Sequence, residues 1–219
     1  SHEAPENTLA AIRLAWAQHA DAVEVDVRLT QDGRLAVIHD SDTQRVAGRR
    51  HVIAETPLAA LQALDVGGGR DARFAGERIP ALEEVLALVP AGKRLFIELK
   101  GGPGSVPALR RCVAQALCEP PAPLVPAQIA IIAFDLATAI AAKLALSGHE
   151  VCWLAEAGAA APVATLEEIA RTAHDAGLDG IDVDAAWPIA AATVHRLQQM
   201  HGGAFKVYVW TVDDALQAR

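Results

Sequence analysis

VEVDVRLTQDGRLAVIHD, from Val23 to Asp40, decides the fold. Val23, Val25 and Val27 alternate with Glu24, Asp26 and Arg28, so the spacing predicts a strand over 22–29. Because strand side chains point to opposite faces with period two, Glu24 and Asp26 share one face. Thr30-Gln31-Asp32-Gly33 is turn chemistry, and Leu35, Val37 and His39 then share a face of a second short strand ending in His39-Asp40. Two acids at one strand end and an imidazole at the next mark a candidate site.

The flanking sequence alternates helices and strands. Pro5-Glu6-Asn7-Thr8 precedes LAAIRLAWAQHA, where Leu9, Ile12, Ala15 and Trp16 fall on one helical stripe and Asn7 or Thr8 is the expected N-cap. Ser41 to Ile79 reads as a long irregular segment, the kind that often carries function, with Thr56-Pro57 as cap and first turn of a short helix through Leu64. Gly67-Gly68-Gly69 reads as a flexible turn, since no lysine-serine signature or strand-to-helix context supports a phosphate cradle. Pro80 opens a short amphipathic helix, ALEEVLALV. LFIELK, 95–100, places Phe96, Glu98 and Lys100 on one face, repeating the Glu24/Asp26 arrangement. A helix over 106–118 and a proline-rich turn at Pro120, Pro121, Pro123 and Pro126 follow. The remaining expectations are strands at 129–134, 150–155, 180–184 and 206–211, with helices at 136–147, 165–176 and 188–200 and from Asp213.

This alternation predicts a parallel α/β architecture, either a (β/α)₈ TIM barrel or a doubly wound sheet. The barrel is preferred because acids and histidines recur at the C-terminal ends of several strands, and no glycine-rich turn follows the first strand. Seven visible strands against the eight of a closed barrel imply that one is missing. No repeat or linker suggests a second domain, so residues 1–219 read as one domain.

The 219 residues are 52% hydrophobic and 21% charged, enough for a sizeable core. A net charge of -8 and a pI near 5.4 argue against nucleic acid as a partner while permitting a local cationic pocket. Cys112, Cys118 and Cys152 are odd in number and lack metal-type spacing, which predicts buried thiols and a reducing, cytoplasmic compartment. Residues 129–146 are apolar enough to imitate a membrane span, but Asp135 and Lys143 interrupt them, so a strand and a helix are expected instead of stable membrane insertion.

Glu24, Asp26 and Glu98 would bring three carboxylates into one barrel mouth, where repulsion makes full ionisation costly without a cation. Hard oxygen ligands suit Mg²⁺ or Ca²⁺; an ion-paired network with Lys100 and Arg28 is the competing structural reading. Lys100 points the same way as Glu98 and suits an anionic substrate oxygen or a counter-ion role. His39 is suited to proton transfer at a phosphate ester. His2, His19, His51, His149, His174, His195 and His201 receive a surface reading. Trp210 shares a face with Lys206 and Tyr208 and walls the pocket or packs in the core, while Asp182 and Asp184 are candidates for pocket lining.

APENTLAA (Ala4 to Ala11), VEVDVRLTQDGRLAVIHD, IPALEEVL, IELK and VYVWTV, in this order, resemble the glycerophosphodiester phosphodiesterase family over nearly the whole chain, in its compact form without an inserted domain. The resemblance implies a (β/α)₈ barrel, a divalent cation, and hydrolysis of glycerophosphodiesters to sn-glycerol 3-phosphate and an alcohol. By match it implies Glu24, Asp26 and Glu98 as metal ligands, His39 as one of two catalytic histidines, Lys100 as a phosphate contact and Trp210 as an aromatic wall near the glycerol.

The family's His-Arg-Gly motif at the end of its first strand has no counterpart before Pro5, and His2, followed by Glu3, is not assigned its role. A serine common at one later position is Ala133 here, and the last helix with its Gly-x-Asp segment has no counterpart. The expectation is a chain lacking the first strand and the closing helix. Three competing readings use the same barrel: a lysophospholipase D-like phosphodiesterase on lipid substrates, a noncatalytic phosphodiester-binding barrel, and a metal-dependent aldolase or isomerase.

Overall fold

The computed structural model describes residues 3–118, 123–157, 165–187, 189–200 and 203–213. His2, His201, Pro120, Pro121 and the helix expected beyond Asp213 lie outside them. The chain divides into two compact units, Ser1–Ala130 and Ile131–Arg219.

The first unit is built on β1 (Ala22–Leu29), which pairs antiparallel with β2 (Leu35–Val37) and parallel with β3 (Arg94–Leu99). Val25, Asp26 and Val27 are all buried while Glu24 is exposed, so of the two acids on one face only Glu24 opens to solvent. The parallel register sets Asp26 beside Glu98. α1 (Leu9–Ala17) precedes the sheet; Thr8, not Asn7, is its N-cap, accepting from the Ala11 amide at 3.2 Å. Of its apolar stripe only Ile12 is fully buried.

β2 departs from alternation. Leu35, Ala36, Val37 and Ile38 are all buried, and His39 lies exposed beyond the strand. The long 41–79 segment is the reason. It contains α2 (Gln44–Ala47), α3 (Leu58–Gln62) and two single 3₁₀ turns. Ile53, Leu58, Leu61, Val66 and Ile79 from this stretch pack with Ala36 and Ile38, covering the hairpin's second face. Each fully buried Leu or Ile contributes about 1.5–3 kcal/mol, which repays ordering a segment with little regular structure. α3 starts one residue later than Thr56-Pro57 suggested. Pro57 is its N-cap, because the Thr56 hydroxyl turns back to donate to the Val52 carbonyl at 2.8 Å.

The glycine run is ordered by Asp65. Its Oδ1 accepts from the Gly67 and Gly68 amides at 2.9 and 2.8 Å, and its Oδ2 from Gly76 at 3.0 Å. These amides hold the carboxyl below its ordinary value, and they are engaged internally rather than offered as a phosphate cradle. α4 (Leu82–Leu86) begins two residues after Pro80, with the Glu84 carboxylate accepting from the Ala81 amide at 2.9 Å. α5 (Val106–Ala116) buries Leu109, Cys112 and Val113.

β4 (Ile129–Ala133) is buried at all five positions and crosses the boundary between units. In the second unit, Asp135 caps α6 (Leu136–Ala145) by accepting from the Thr138 amide at 3.0 Å, which splits the apolar 129–146 stretch into strand and helix. No helix among the described residues is long and apolar enough to cross a membrane. β5 (Glu150–Ala155), β6 (Gly180–Asp184) and β7 (Lys206–Trp210) are parallel neighbours, joined through α7 (Leu166–Asp175) and α8 (Ala191–Met200). α8 starts at Ala191, not at 188. Thr165 and Glu168 form the capping box of α7.

His149 corrects the surface reading of the histidines: it is 7% exposed, with no hydrogen-bond partner on either ring nitrogen among the described residues. Cys118 is exposed, whereas Cys112 and Cys152 are buried as expected.

Candidate functional site

β1 and β3 deliver the three acids. Glu24 and Asp26 share a face by strand periodicity, Glu98 is the register partner of Asp26, and one oxygen from each lies within 4.8 Å of the others. Asp26 and Glu98 are 7% and 8% exposed, while Glu24 opens to solvent. Burial raises the Glu98 carboxyl above its ordinary value, the Lys100 ammonium opposes this, and Asp26 adds to it.

Lys100 follows β3 and brings Nζ to 2.7 Å from Glu98 Oε1 and 3.2 Å from Asp26 Oδ1. Burial acts to lower this ammonium, but the two carboxylates prevail and raise it. Arg28, the next residue on the acid face of β1, donates from Nε to the His39 carbonyl at 2.8 Å. Its guanidinium is lowered by burial against the pull of Asp26, Asp40 and Glu98.

His39 stands at the end of the hairpin, its Nδ1 2.9 Å from Asp40 Oδ1. Glu6, Asn7, Glu24, Asp26 and His39 line one cavity of about 640 Å³. The first unit therefore brings together five of the six residues singled out by sequence: Glu24, Asp26, His39, Glu98 and Lys100. Trp210 belongs to the second unit. There its ring meets Phe134 edge-on at 5.8 Å, and it is the register neighbour of Asp184. It is partly exposed, with its indole nitrogen buried and unpartnered among the described residues.

Three residues of this site went unassigned in the sequence reading. Asn7, considered only as a helix cap, hydrogen-bonds Asp26. Glu6 and Arg45 extend the His39–Asp40 pair. A signal existed in the Pro-Glu-Asn-Thr element itself, since a turn-forming Asn one residue before the true cap is free to bond elsewhere. Arg45, inside an irregular stretch, carried none.

The sequence model of the Glycerophosphoryl diester phosphodiesterase family matches residues 1–219. A glycerophosphodiester phosphodiesterase of Caldanaerobacter subterraneus is 38% identical over 122 residues, covering 54% of this chain and 49% of that protein. One from Bacillus altitudinis is 36% identical over 96 residues, covering 44% of this chain and 39% of the relative. The matched stretches thus span half or less of those relatives.

Among solved structures, an Oleispira antarctica phosphodiesterase in complex with the product sn-glycerol-3-phosphate aligns with a TM-score of 0.83 at 25% identity, covering 100% of this chain and 83% of that one. A glycerophosphodiester phosphodiesterase from Thermotoga maritima, at 22% identity, shares the fold with a TM-score of 0.73, covering 98% of this chain and 83% of that one. The fold class is thus the expected α/β class of the (β/α)₈ TIM barrels. With its site residues in the motifs quoted above and the family match running from the first residue to the last, the chain belongs to the glycerophosphoryl diester phosphodiesterase family.

Proposed function

We propose that this chain hydrolyses glycerophosphodiesters to sn-glycerol 3-phosphate and an alcohol in a divalent-cation-dependent reaction. The observation that carries the reading is the gathering of Glu24, Asp26 and Glu98 within 4.8 Å, with Lys100 against Glu98 and His39 on the same cavity as Glu24 and Asp26. The relatives' names and the product bound to the Oleispira antarctica protein support the substrate class.

The donor set fits a hard cation. Two oxygens on one ion can lie no further apart than twice the metal–oxygen distance, about 4.6–5.2 Å for Ca²⁺ and about 4.0–4.2 Å for Mg²⁺. Oxygens within 4.8 Å of one another lie close to the Ca²⁺ span and would have to draw together further to meet the shorter Mg²⁺ span. Glu24, Asp26 and Glu98 would hold the ion, which supplies Lewis-acid polarisation of phosphoryl oxygens.

The chain's own groups do the rest. A phosphodiester anion repels nucleophiles, so the Lys100 ammonium, partly buried beside the acids, is placed to take up negative charge growing on a phosphoryl oxygen. The leaving alkoxide needs a proton. His39 engages Asp40 through Nδ1, which leaves Nε2 as the atom that exchanges a proton with the substrate. The nucleophile is water or the substrate's own glycerol hydroxyl. Trp210 is assigned the aromatic wall of the glycerol on the family match alone. That match over residues 1–219 also supports reading both units as one catalytic domain, and the free cysteines support a cytoplasmic place.

The test is release of glycerol 3-phosphate from glycerophosphocholine, first with EDTA and then with Mg²⁺ or Ca²⁺ restored. Metal-restored release is expected. A folded, metal-loaded protein that releases none, or that acts on lysophospholipids alone, overturns the proposal.

A further inference from the structure

Arg45 reaches the His39 loop from α2 and grips two carboxylates from distant segments. Its Nε and Nη2 donate to Asp40 Oδ2 and Oδ1 at 2.7 and 3.1 Å. Its Nη1 and Nη2 donate to Glu6 Oε2 and Oε1 at 2.9 and 2.6 Å. Asp40 is in turn the partner of His39 Nδ1. A line of contacts therefore runs from Glu6, ahead of α1, through Arg45 and Asp40 to the imidazole.

Ordinary exposed ion pairs contribute little, and a side chain as open as Arg45, half exposed, would usually be read that way. Geometry argues otherwise here. Four hydrogen bonds fix the guanidinium plane, and with it the plane of the Asp40 carboxylate. The Asp40 carboxyl is held at about 2 by Arg45 first and His39 second, so it stays an acceptor throughout the working range.

His39 needs such support because its side chain is 52% exposed. An imidazole that open is otherwise free to turn and to exchange its proton between the two ring nitrogens. The charged groups around it are Asp40, Glu6 and Arg45, with Arg28 on its backbone carbonyl and Glu3, Glu24 and Asp26 on the shared cavity. Of these, only Asp40 makes a hydrogen bond to the ring among the described contacts.

We propose that Arg45, braced by Glu6, is the positioning residue that locks Asp40 and thereby fixes the orientation and the Nδ1–H tautomer of His39. The inference rests on His39 as the proton-transfer group of the proposed reaction. It goes beyond that reading by assigning the ring's geometry to a fork that only a guanidinium supplies.

The test has two readouts on the full chain. Ring ¹⁵N shifts of His39, assigned by their loss in His39→Ala, are compared at alkaline pH in the wild type, Arg45→Lys, Arg45→Ala and Glu6→Gln. The wild type is expected to show one tautomer protonated at Nδ1, and both Arg45 variants averaged shifts. Turnover is expected to fall about tenfold in kcat with KM nearly constant, and Arg45→Lys is expected to add no further loss in an Asp40→Asn background. Arg45→Lys guards against misfolding of the alanine variant, since it keeps the charge and most of the length. A lysine variant retaining the Nδ1–H signature and the wild-type rate would overturn the proposal, because charge alone would then suffice. Unchanged shifts in Arg45→Ala would do the same. If the wild type releases no glycerol 3-phosphate, the proposed function fails, while the tautomer comparison still decides the clamp.

Discussion

Asn7 holds Asp26 by two hydrogen bonds: its side-chain nitrogen donates to Oδ2 at 2.8 Å, and its side-chain oxygen accepts from the Asp26 backbone amide at 3.1 Å. Asn7 does so from a left-handed backbone, φ 56°, which asparagine tolerates better than most residues. Asn7→Ala should lower affinity for Ca²⁺ or Mg²⁺ about tenfold to hundredfold, because an unbraced carboxylate must be ordered when the ion binds. Calorimetric metal titration checks this, and an unchanged Kd would detach Asn7 from the site.

Glu24→Gln and Asp26→Asn should each abolish metal-dependent turnover while leaving the fold largely intact. His39→Ala should lose turnover and keep metal binding, since His39 is not among the three clustered acids. Assays of glycerol 3-phosphate release run beside metal titrations separate the two effects. Activity surviving in all three variants would remove the site assignment.

Metal affinity should fall on acidification earlier than an ordinary glutamate would allow. The Glu98 carboxyl is raised by burial, and a bound proton there must leave before the carboxylate can ligate. Affinity should therefore rise with pH until Glu98 has ionised and level off above that point. Glu98→Gln should remove this dependence along with most of the affinity, and titrations across mildly acidic to neutral pH would reveal it.

His149 should make the protein acid-sensitive. Burial first of all lowers its imidazole below the ordinary value of 6.5, opposed by the nearby Leu146 backbone and helped by the Lys143 charge. Its neutral form is favoured in the folded state, so stability is complete above the unfolded value of 6.5 and is lost as pH falls from there through the depressed folded value. A drop in the urea midpoint on acidification from neutral pH, smaller in a His149→Phe variant, is the expected pattern. Equal drops in both proteins would place the sensitivity elsewhere.

Gly180 opens β6 where a Cβ would lie 2.3 Å from the Lys206 carbonyl oxygen, a backbone atom that cannot swing aside. Gly180→Ala should cost about 1–3 kcal/mol by forcing β6 and β7 apart. The urea midpoint reports it. A neutral substitution would mean that the two strands tolerate wider spacing at this point.

Elements with strong periodicity were readable directly. β1, β5 and β6 fall on the expected ranges because alternating or apolar runs bounded by turns leave one solution. The acid pair on β1 was equally plain, since period two alone puts Glu24 and Asp26 on one face. Periodicity failed at β2, where both faces are buried by a segment whose cover depends on scattered apolar residues with no period of their own.

Local sequence determined the residue types of the site and the faces that carry them, because a strand's two-residue repeat is a property of its own backbone. Tertiary structure alone decided that Asp26 sits in register with Glu98, that Lys100 spans both acids, and that His149 is buried. It also decided that Asn7 and Arg45, separated in sequence from Asp26 and Glu6, come to hold Asp26 and Asp40. Such pairings depend on how strands and loops meet after the core has packed, and no local pattern encodes a contact between segments that have yet to meet.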